Sequence, residues 1–248
     1  MVTERQSEAL SASGSCRPEI IPPDVLETLR KFERGETFDS WSPVRDYDVG
    51  QDVLKLFSKN RNGTDLKEFL VHGKVNVCKE KVIELIMHMS HRERWDDTYI
   101  EHEEISSDGF GGDLIFSASK YPFPLAKRTY IIKRSVHGSM DNTVLIYSKV
   151  IPYDYPKKYK WSTQVDDFES VLMIRNCADK EGYSEMLVTY YEDPKVMLPN
   201  TYLNLIIETL VPKVLNKMII ACKQYGSPTY MEYCRGMVCI PFPEKYNA

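Results

Sequence analysis

The sequence predicts an α+β fold in which a curved antiparallel β-sheet wraps around a long C-terminal helix. Six strand-like segments follow Trp95, and links of hairpin length join them. Strands in such succession are typical of antiparallel pairing rather than of βαβ units. After them, a segment from about Asn200 to Gln224 carries a wide apolar face that another element must cover.

Composition places the chain among ordinary globular proteins. It has 248 residues, 42% hydrophobic and 27% charged, with a net charge of −4. This charge is too mild to favour bulk nucleic-acid binding. The best candidate for a membrane-spanning segment, Leu203 to Ile220, is interrupted by polar and charged residues, and the N-terminus has no signal-peptide core. We therefore expect a cytoplasmic protein without a partner nucleic acid.

The chain divides into three parts. Residues 1–20 have few large apolar groups and are expected to form a flexible leader. Residues 21–226 form one domain, which opens with an amphipathic helix over Ile20–Phe32 that has Asp24 as a possible N-cap. Residues 227–248 form a tail rich in proline and tyrosine, whose structure the sequence does not predict.

In the middle of the domain, the spacing of hydrophobic and polar residues predicts the helices and strands. Val53 to Ser58 is a strand, Asn62-Gly63 indicates a hairpin, and Val71 to Val77 has a period of two. Val82 to Met89 then shows a helical period. The later strands are Thr98–Ile105, Leu114–Lys120, Arg128–Arg134, Val144–Val150, Asp167–Arg175 and Ser184–Tyr191.

Three of these strands carry one face on which polar and apolar residues mix. The face of Leu114–Lys120, for example, has Ile115, Ser117 and Ser119. Such a lining suits an amphiphilic ligand. Alternation alone also fits a solvent-facing surface, because a shift of one residue exchanges the two faces of a strand.

Three motifs decide between these alternatives. The first is the run Arg92-Glu93-Arg94-Trp95-Asp96, and the second is Lys120-Tyr121-Pro122-Phe123-Pro124-Leu125-Ala126-Lys127-Arg128-Thr129-Tyr130. The third joins Asp193-Pro194 and Leu198-Pro199 to Val211-Pro212-Lys213-Val214-Leu215. Together they resemble the START (StAR-related lipid transfer) domain family, most of all its phosphatidylcholine-transfer branch. The resemblance implies a helix-grip fold, in which one lipid lies in a tunnel between the sheet and the last helix.

The resemblance also implies residues for the lipid head group. Arg92 matches the arginine that meets phosphate, and Tyr130 and Phe168 match two aromatic positions of the choline cage. The cage tryptophan falls on Ser117, a head-group glutamine on Ser170 and a further tyrosine on Ile86, so the cage is incomplete. Sterol-binding members place an acid opposite the position of Arg134, and here that acid falls near Ile115. Asp113 lies two residues away.

The remaining site residues are expected to wall the tunnel or to open it. The tunnel and lid residues are Ile86, Ile115, Ile132, Leu172, Leu203, Ile206, Ile207 and Leu210. Tyr121, Phe123 and Leu125 belong to a gate loop that is expected to dip into a bilayer while Lys120, Lys127 and Arg128 meet anionic lipid.

These features predict a non-enzymatic carrier that holds one glycerophospholipid, phosphatidylcholine-like, as cargo and moves it between membranes. We expect a monomer that touches membranes transiently, with no cofactor besides the lipid. No catalytic residue and no metal are predicted, since the spacing of His88 and His91 lacks a third ligand. Alternatives are a sterol or ceramide carrier, a thioesterase or hydrolase acting on lipid, and a lipid-sensing module whose tail binds a partner.

Overall fold

The computed structural model describes residues 21–49, 52–107, 112–122, 125–138, 142–156, 159–196 and 199–224. The predicted leader, the predicted tail and Phe123 lie outside these ranges. In chain order the elements are α1 (Pro23–Arg34), β1 (Ser42–Val49), β2 (Asp52–Asn60), β3 (Lys67–Val75), α2 (Lys79–Met87), a 3₁₀ helix (Met89–Arg94), β4 (Tyr99–Ser107), β5 (Asp113–Ser119), β6 (Lys127–Gly138), β7 (Val144–Val150), β8 (Ser162–Gln164), β9 (Phe168–Asn176), β10 (Ser184–Glu192) and α3 (Asn200–Gln224).

Within the described ranges the strands form one sheet in the order β1-β2-β3-β10-β9-β7-β6-β5-β4, with β8 beside β6. The pairs are antiparallel except β6 and β8, which run parallel. The predicted α+β fold with an antiparallel sheet and a C-terminal helix is confirmed. The sheet is not a simple meander, however, because β3 pairs with β10 rather than with β4. The short strand β8 was not predicted.

Helix α1 covers one face of the sheet. Its buried residues Val25, Leu29 and Phe32 belong to a cluster that includes Leu145 and Met173 of the sheet. The helix begins with Pro23 after Pro22, and no side chain caps it, so the prediction of Asp24 as the N-cap is wrong. Proline suits a first helical position because the missing N–H would have no partner there.

Helices α2 and α3 cover the opposite face. The C-terminal half of α3 buries Leu215, Met218 and Ile219 against the sheet and α2. Each such side chain stabilises the fold by about 1.5–3 kcal/mol. In its N-terminal half Tyr202 and Leu205 are exposed, while Asn204 is buried and its Oδ1 accepts a hydrogen bond from the backbone N–H of Lys67 at 3.2 Å. Both halves of the helix therefore contact the sheet.

Candidate functional site

A cavity of about 300 Å³ lies between the inner face of the sheet and α3. Its walls are mainly apolar, and the side chains of α2, α3, β5, β6 and β10 supply them. The apolar wall residues are Leu85, Ile86, Ile115, Ile132, Val188, Leu210, Val211, Val214, Leu215 and Met218.

Small side chains on the sheet leave this space open. Ser117, Ser119 and Ser170 line the cavity, where larger side chains would reach the helix. Further along the same face of β9, Leu172 and Ile174 belong to the packed core. Leu172, which the sequence predicted as a tunnel residue, is therefore part of the solid core beside the cavity and does not line it.

One end of the cavity is polar and contains Arg92. Its Nε donates a hydrogen bond to Oδ2 of Asp96 at 2.8 Å, and the backbone N–H of Thr98 donates to Oδ1 at 2.9 Å. Burial alone would raise the pKa of Asp96, but the charge of Arg92 and the hydrogen bonds from Thr98 and Arg92 outweigh it and lower that pKa. The ionised carboxylate holds the guanidinium at the cavity wall.

Two side chains beside Arg92 have buried nitrogen atoms without a hydrogen-bond partner among the described residues. They are Nε1 of Trp95 and both ring nitrogens of His102, and both residues line the cavity. Burial, followed by the charge of Arg92, lowers the pKa of His102 to about 3. The neutral imidazole therefore offers one donor and one acceptor to a ligand.

An aromatic cluster lies over a buried carboxylate near Tyr121. The hydroxyl of Tyr130 donates to Oε1 of Glu192 at 3.1 Å, and the hydroxyl of Tyr190 donates to Oε2. The ring of Phe168 packs edge-on against both tyrosines, with centroids 5.7 Å apart in each pair. Burial raises the pKa of Glu192. The four rings, including Tyr121, line the cavity.

A second polar pair lies where β5 meets β6. Arg134 is paired with Asp113 in the strand register, and its Nε donates to Oδ2 of that residue at 3.0 Å. Its Nη1 also donates to the backbone carbonyl of Ile86 at 3.0 Å. The acid opposite Arg134 is thus Asp113 and not a residue at the position of Ile115, where the resemblance placed it.

Arg128 fixes the loop that follows Tyr121. Its side chain is fully buried, and Nε donates to the carbonyl of Pro194 at 2.9 Å while Nη1 donates to the carbonyl of Ala126. The guanidinium also lies 4.9 Å from the centroid of the Tyr121 ring. One buried cation therefore ties this loop to the segment that leads into α3, and the expectation that Arg128 meets anionic lipid is wrong.

Comparison with protein families matches residues 28–227 to the START domain. The chain belongs to the START domain family. This membership confirms the resemblance seen in the sequence, and the matched range contains α2, α3 and all ten described strands.

Curated relatives are identical to this chain at about a quarter of the aligned positions. Mouse "StAR-related lipid transfer protein 7, mitochondrial" is 23% identical over 98% of this chain and 68% of its own length. Rat "Phosphatidylcholine transfer protein" is 27% identical over 67% of this chain and 78% of its own length. Among solved structures, human STARD10 has a TM-score of 0.70 at 19% identity, covering 91% of this chain and 89% of that chain.

The START fold brings most of the predicted site residues to the one cavity. Those that line it are Arg92, Tyr130, Phe168, Ser117, Ser170, Arg134, Ile86, Ile115, Ile132, Leu210 and Tyr121. Ile206 and Leu125 are half-buried and do not line it. The side chains of Leu203 and Ile207, like Phe123, lie outside what the structure describes. The roles of all these residues in ligand binding stay predictions.

Other kinds of site have little support in the described ranges. No group of three or more His, Cys, Asp or Glu side chains there is arranged to hold a metal ion. None of the described helices combines the length and apolar character needed to cross a membrane.

Proposed function

We propose that this protein binds one glycerophospholipid in the cavity beneath α3 and carries it between membranes. The observation that carries the proposal is an apolar cavity with a polar, aromatic end under a partly covered helix. The names of the relatives agree with it, since one is a phosphatidylcholine transfer protein and another a lipid transfer protein. Burial of acyl chains at about 0.8 kcal/mol per CH₂ would dominate the affinity.

The polar end suits a phosphate group. Arg92 is held by Asp96 through Nε, which directs its terminal amino groups elsewhere for a bidentate contact with phosphate oxygens. The indole N–H of Trp95 is a second donor without a protein partner among the described residues. A neutral His102 adds a third donor. Together they would replace part of the hydration of a buried phosphate.

The aromatic cluster suits a quaternary ammonium group. Tyr121, Tyr130, Phe168 and Tyr190 present four rings to the cavity, and the carboxyl group of Glu192 lies behind them. Aromatic faces attract such cations, and the attraction grows when water is excluded. We infer that Tyr121 and Tyr190 compensate for Ser117, which stands where the family has a cage tryptophan.

Loading a two-chain lipid has to widen the cavity. Ligand pockets for drug-sized molecules span about 300–1,000 Å³, and the cavity here lies at the lower bound at about 300 Å³. A membrane phospholipid is larger than such a molecule. We infer that α3 moves outward during uptake, because its residues Leu210, Val211 and Val214 form the cavity wall that faces the sheet.

The experiment that tests the carrier function is native mass spectrometry of the full chain, followed by lipid extraction. We expect one bound phospholipid per protein in the wild type. Arg92→Ala should still fold but should bind lipids without preference for a phosphate head group. Glu93→Ala, an exposed change on the adjacent residue, is the matched control. An Arg92→Ala protein with the same cargo as the wild type would contradict the role of Arg92.

A sterol carrier is the second candidate, and one observation favours it. Arg134 lines the cavity and is paired with an acid, Asp113, which lies two residues from the position where sterol-binding members place their acid. A sterol hydroxyl could donate to the acid and accept from the arginine. The same extraction experiment separates the candidates, because a sterol recovered in place of phospholipid would favour this second function.

A further inference from the structure

Trp161 is exposed in an unusual backbone conformation. Its side chain is 82% exposed, the highest value among the large hydrophobic side chains that the structure describes. Its φ is 59°, in the left-handed region. Bulky side chains rarely adopt this region, and such a conformation costs free energy that the surrounding structure has to offset. The ring does not pack in the core, so core packing does not explain why the chain keeps this unfavourable backbone conformation.

The turn that presents Trp161 is anchored on both sides. Before it, the ring of Tyr159 stacks on the buried Phe116, with centroids 6.0 Å apart, and its hydroxyl donates to Glu101. After it, the backbone N–H of the buried Val165 donates to the carbonyl of Thr129 at 2.9 Å. The fixed ends impose the backbone conformation and direct the indole into solvent.

The sheet places Trp161 beside the loop at the cavity. Strand β8 runs parallel to the start of β6, with Ser162 paired to Lys127. Trp161 and Ala126 directly precede the two residues of this pair, so each lies one residue from the point where β8 meets β6. Ala126 ends the gate loop, which begins at Tyr121 in the cavity wall. Trp161 is therefore an exposed neighbour of the loop through which cargo would pass.

Two exposed lysines lie near Trp161, together with the half-buried Glu101 that accepts the hydrogen bond of Tyr159. Lys160 is exposed, and its Nζ lies 6.0 Å from the indole centroid. Lys127 is exposed and lies 5.9 Å from the ring of Tyr159. Asp154 is an exposed acid in the same connection between β7 and β8. An indole flanked by lysines matches the interface of an anionic bilayer, where tryptophan lies at head-group level and cations meet the lipid charge.

We propose that Trp161 is a membrane anchor that docks this protein on surfaces containing anionic lipid, with Lys127 and Lys160 as its electrostatic partners. The anchor would hold the gate loop at the bilayer while α3 opens. This inference rests on the proposed carrier function, but it assigns docking to a residue outside the cavity. A bilayer fits better than a protein partner because a single ring projects outward, beside cations, at the cavity loop.

The experiment measures binding of the full chain to vesicles of phosphatidylcholine with about one-fifth anionic phosphatidylserine. Tryptophan emission alone is recorded in a Trp95→Phe background, because Trp95 lines the cavity and would respond to cargo. This background leaves Trp161 and the buried Trp41, whose emission is subtracted with the Trp161→Gly spectrum. We expect emission to shift to shorter wavelength and brominated lipids to quench it. Trp161→Gly should weaken vesicle binding about tenfold, while its unfolding temperature stays equal or rises, since glycine adopts positive φ freely.

Val53→Ser is the matched control. Val53 is 48% exposed. Followed from strand to strand, the paired residues put its end of β2 in line with Gly138, which ends β6, whereas Lys127 begins that strand. This variant should bind vesicles as the wild type does. Unchanged binding of Trp161→Gly, or emission that does not respond to vesicles, overturns the proposal. A large fall in unfolding temperature for both Trp161→Gly and Trp161→Asn would assign the residue a structural role instead.

Vesicle binding and cargo content are measured on proteins that keep Trp95. Trp161→Gly protein that retains its lipid but no longer binds vesicles supports the anchor. If no variant and no wild-type sample contains lipid while vesicle binding through Trp161 remains, the carrier function fails and the docking surface stands.

Discussion

Tyr47 donates a hydrogen bond from its hydroxyl to the backbone carbonyl of Glu208 at 2.6 Å. That carbonyl lies four residues before Pro212, which is inside α3 and has no N–H to donate. Strand β1 thus supplies the partner that the helix lacks. Nε of Arg45 donates in turn to the hydroxyl of Tyr47 at 2.6 Å. The lid helix is held over the cavity by a side chain at the position where its own hydrogen bonding is interrupted.

Tyr47→Phe should loosen this lid. The change removes one hydrogen bond and leaves the Glu208 carbonyl without a partner, so we expect a loss of about 1 kcal/mol in the free energy of unfolding. Transfer of a fluorescent phospholipid between vesicles should become faster, because α3 opens more easily. Denaturant unfolding and a transfer assay measure the two effects. Tyr153→Phe, at a 45% exposed tyrosine, is the control, and equal transfer rates for both variants would contradict the role of Tyr47.

His102 should determine part of the pH dependence of stability. Burial and the charge of Arg92 lower its pKa from 6.5 to about 3. As pH falls between these values, the unfolded chain takes up a proton at His102 while the folded protein does not. The wild type should therefore lose up to about 1.4 kcal/mol of stability per pH unit through this residue. His102→Gln cannot take up this proton, so its stability should fall less steeply in the same range.

The same variant tests His102 as a ligand-binding group. His102→Gln keeps a donor and an acceptor and should retain cargo, whereas His102→Leu keeps neither and should carry less phospholipid. His88→Gln, at an exposed histidine, is the control for both measurements. If His102→Leu carried as much phospholipid as the wild type, and stability against pH were the same in the wild type, His102→Gln and His88→Gln, the buried imidazole would have no role at this site.

The sequence predicted the elements that obey simple periods. The bounds of α3 and the inward face of β5, with Ile115, Ser117 and Ser119, follow from helical and two-residue repeats together with the START motifs. His102 was missed because β4 shifts register between Tyr99 and Glu101. Such a bulge exchanges the faces of the residues that follow, and no local signal marks it.

Contacts between distant segments were also beyond the sequence. Glu192 is fully buried, although an acid at the end of a strand is usually exposed. Its burial depends on Tyr130, 62 residues earlier, and on Tyr190. The pair of Arg134 and Asp113 likewise depends on the register of β5 and β6. The family resemblance supplied the position of Arg92, but only the folded chain brings it next to His102 and Trp95.

Glu192→Gln should weaken binding of lipids with a choline head group. The carboxyl group lies behind the rings of Tyr130 and Tyr190, and its charge would add to their attraction for a quaternary ammonium. Removing the charge should cost about tenfold in affinity for phosphatidylcholine, or about 1.4 kcal/mol. Affinity for phosphatidic acid, which has the phosphate but no ammonium, should stay the same. Titration of each lipid into delipidated protein measures this.

Stability against pH gives a second test of Glu192. Its pKa is raised above 4.5 by burial, so the folded protein keeps this proton longer than the unfolded chain does. The wild type should lose stability through this group as pH rises from about 4.5, and Glu192→Gln should not. Glu181→Gln, at an exposed acid, should match the wild type. A choline-lipid affinity unchanged in Glu192→Gln would show that the rings act without the carboxyl group.

Arg128→Met should release the gate loop. The fully buried guanidinium donates to the carbonyls of Ala126 and Pro194 and lies over the ring of Tyr121. Methionine has similar length but no donor, so both carbonyls lose a charged partner, and we expect a loss of about 3 kcal/mol in the free energy of unfolding. Amide hydrogen exchange should quicken first in the segments around Ala126 and Pro194, before the rest of the sheet is affected.

Lys127→Met is the matched control for this change, because it replaces the neighbouring cation at an exposed position. It should leave hydrogen exchange near Ala126 and Pro194 as in the wild type, with a change in stability below about 0.5 kcal/mol. If Arg128→Met instead accelerated exchange evenly over the whole domain, Arg128 would stabilise the fold in general. Faster exchange limited to the two connected segments means that one buried side chain couples the gate loop to the entry of α3.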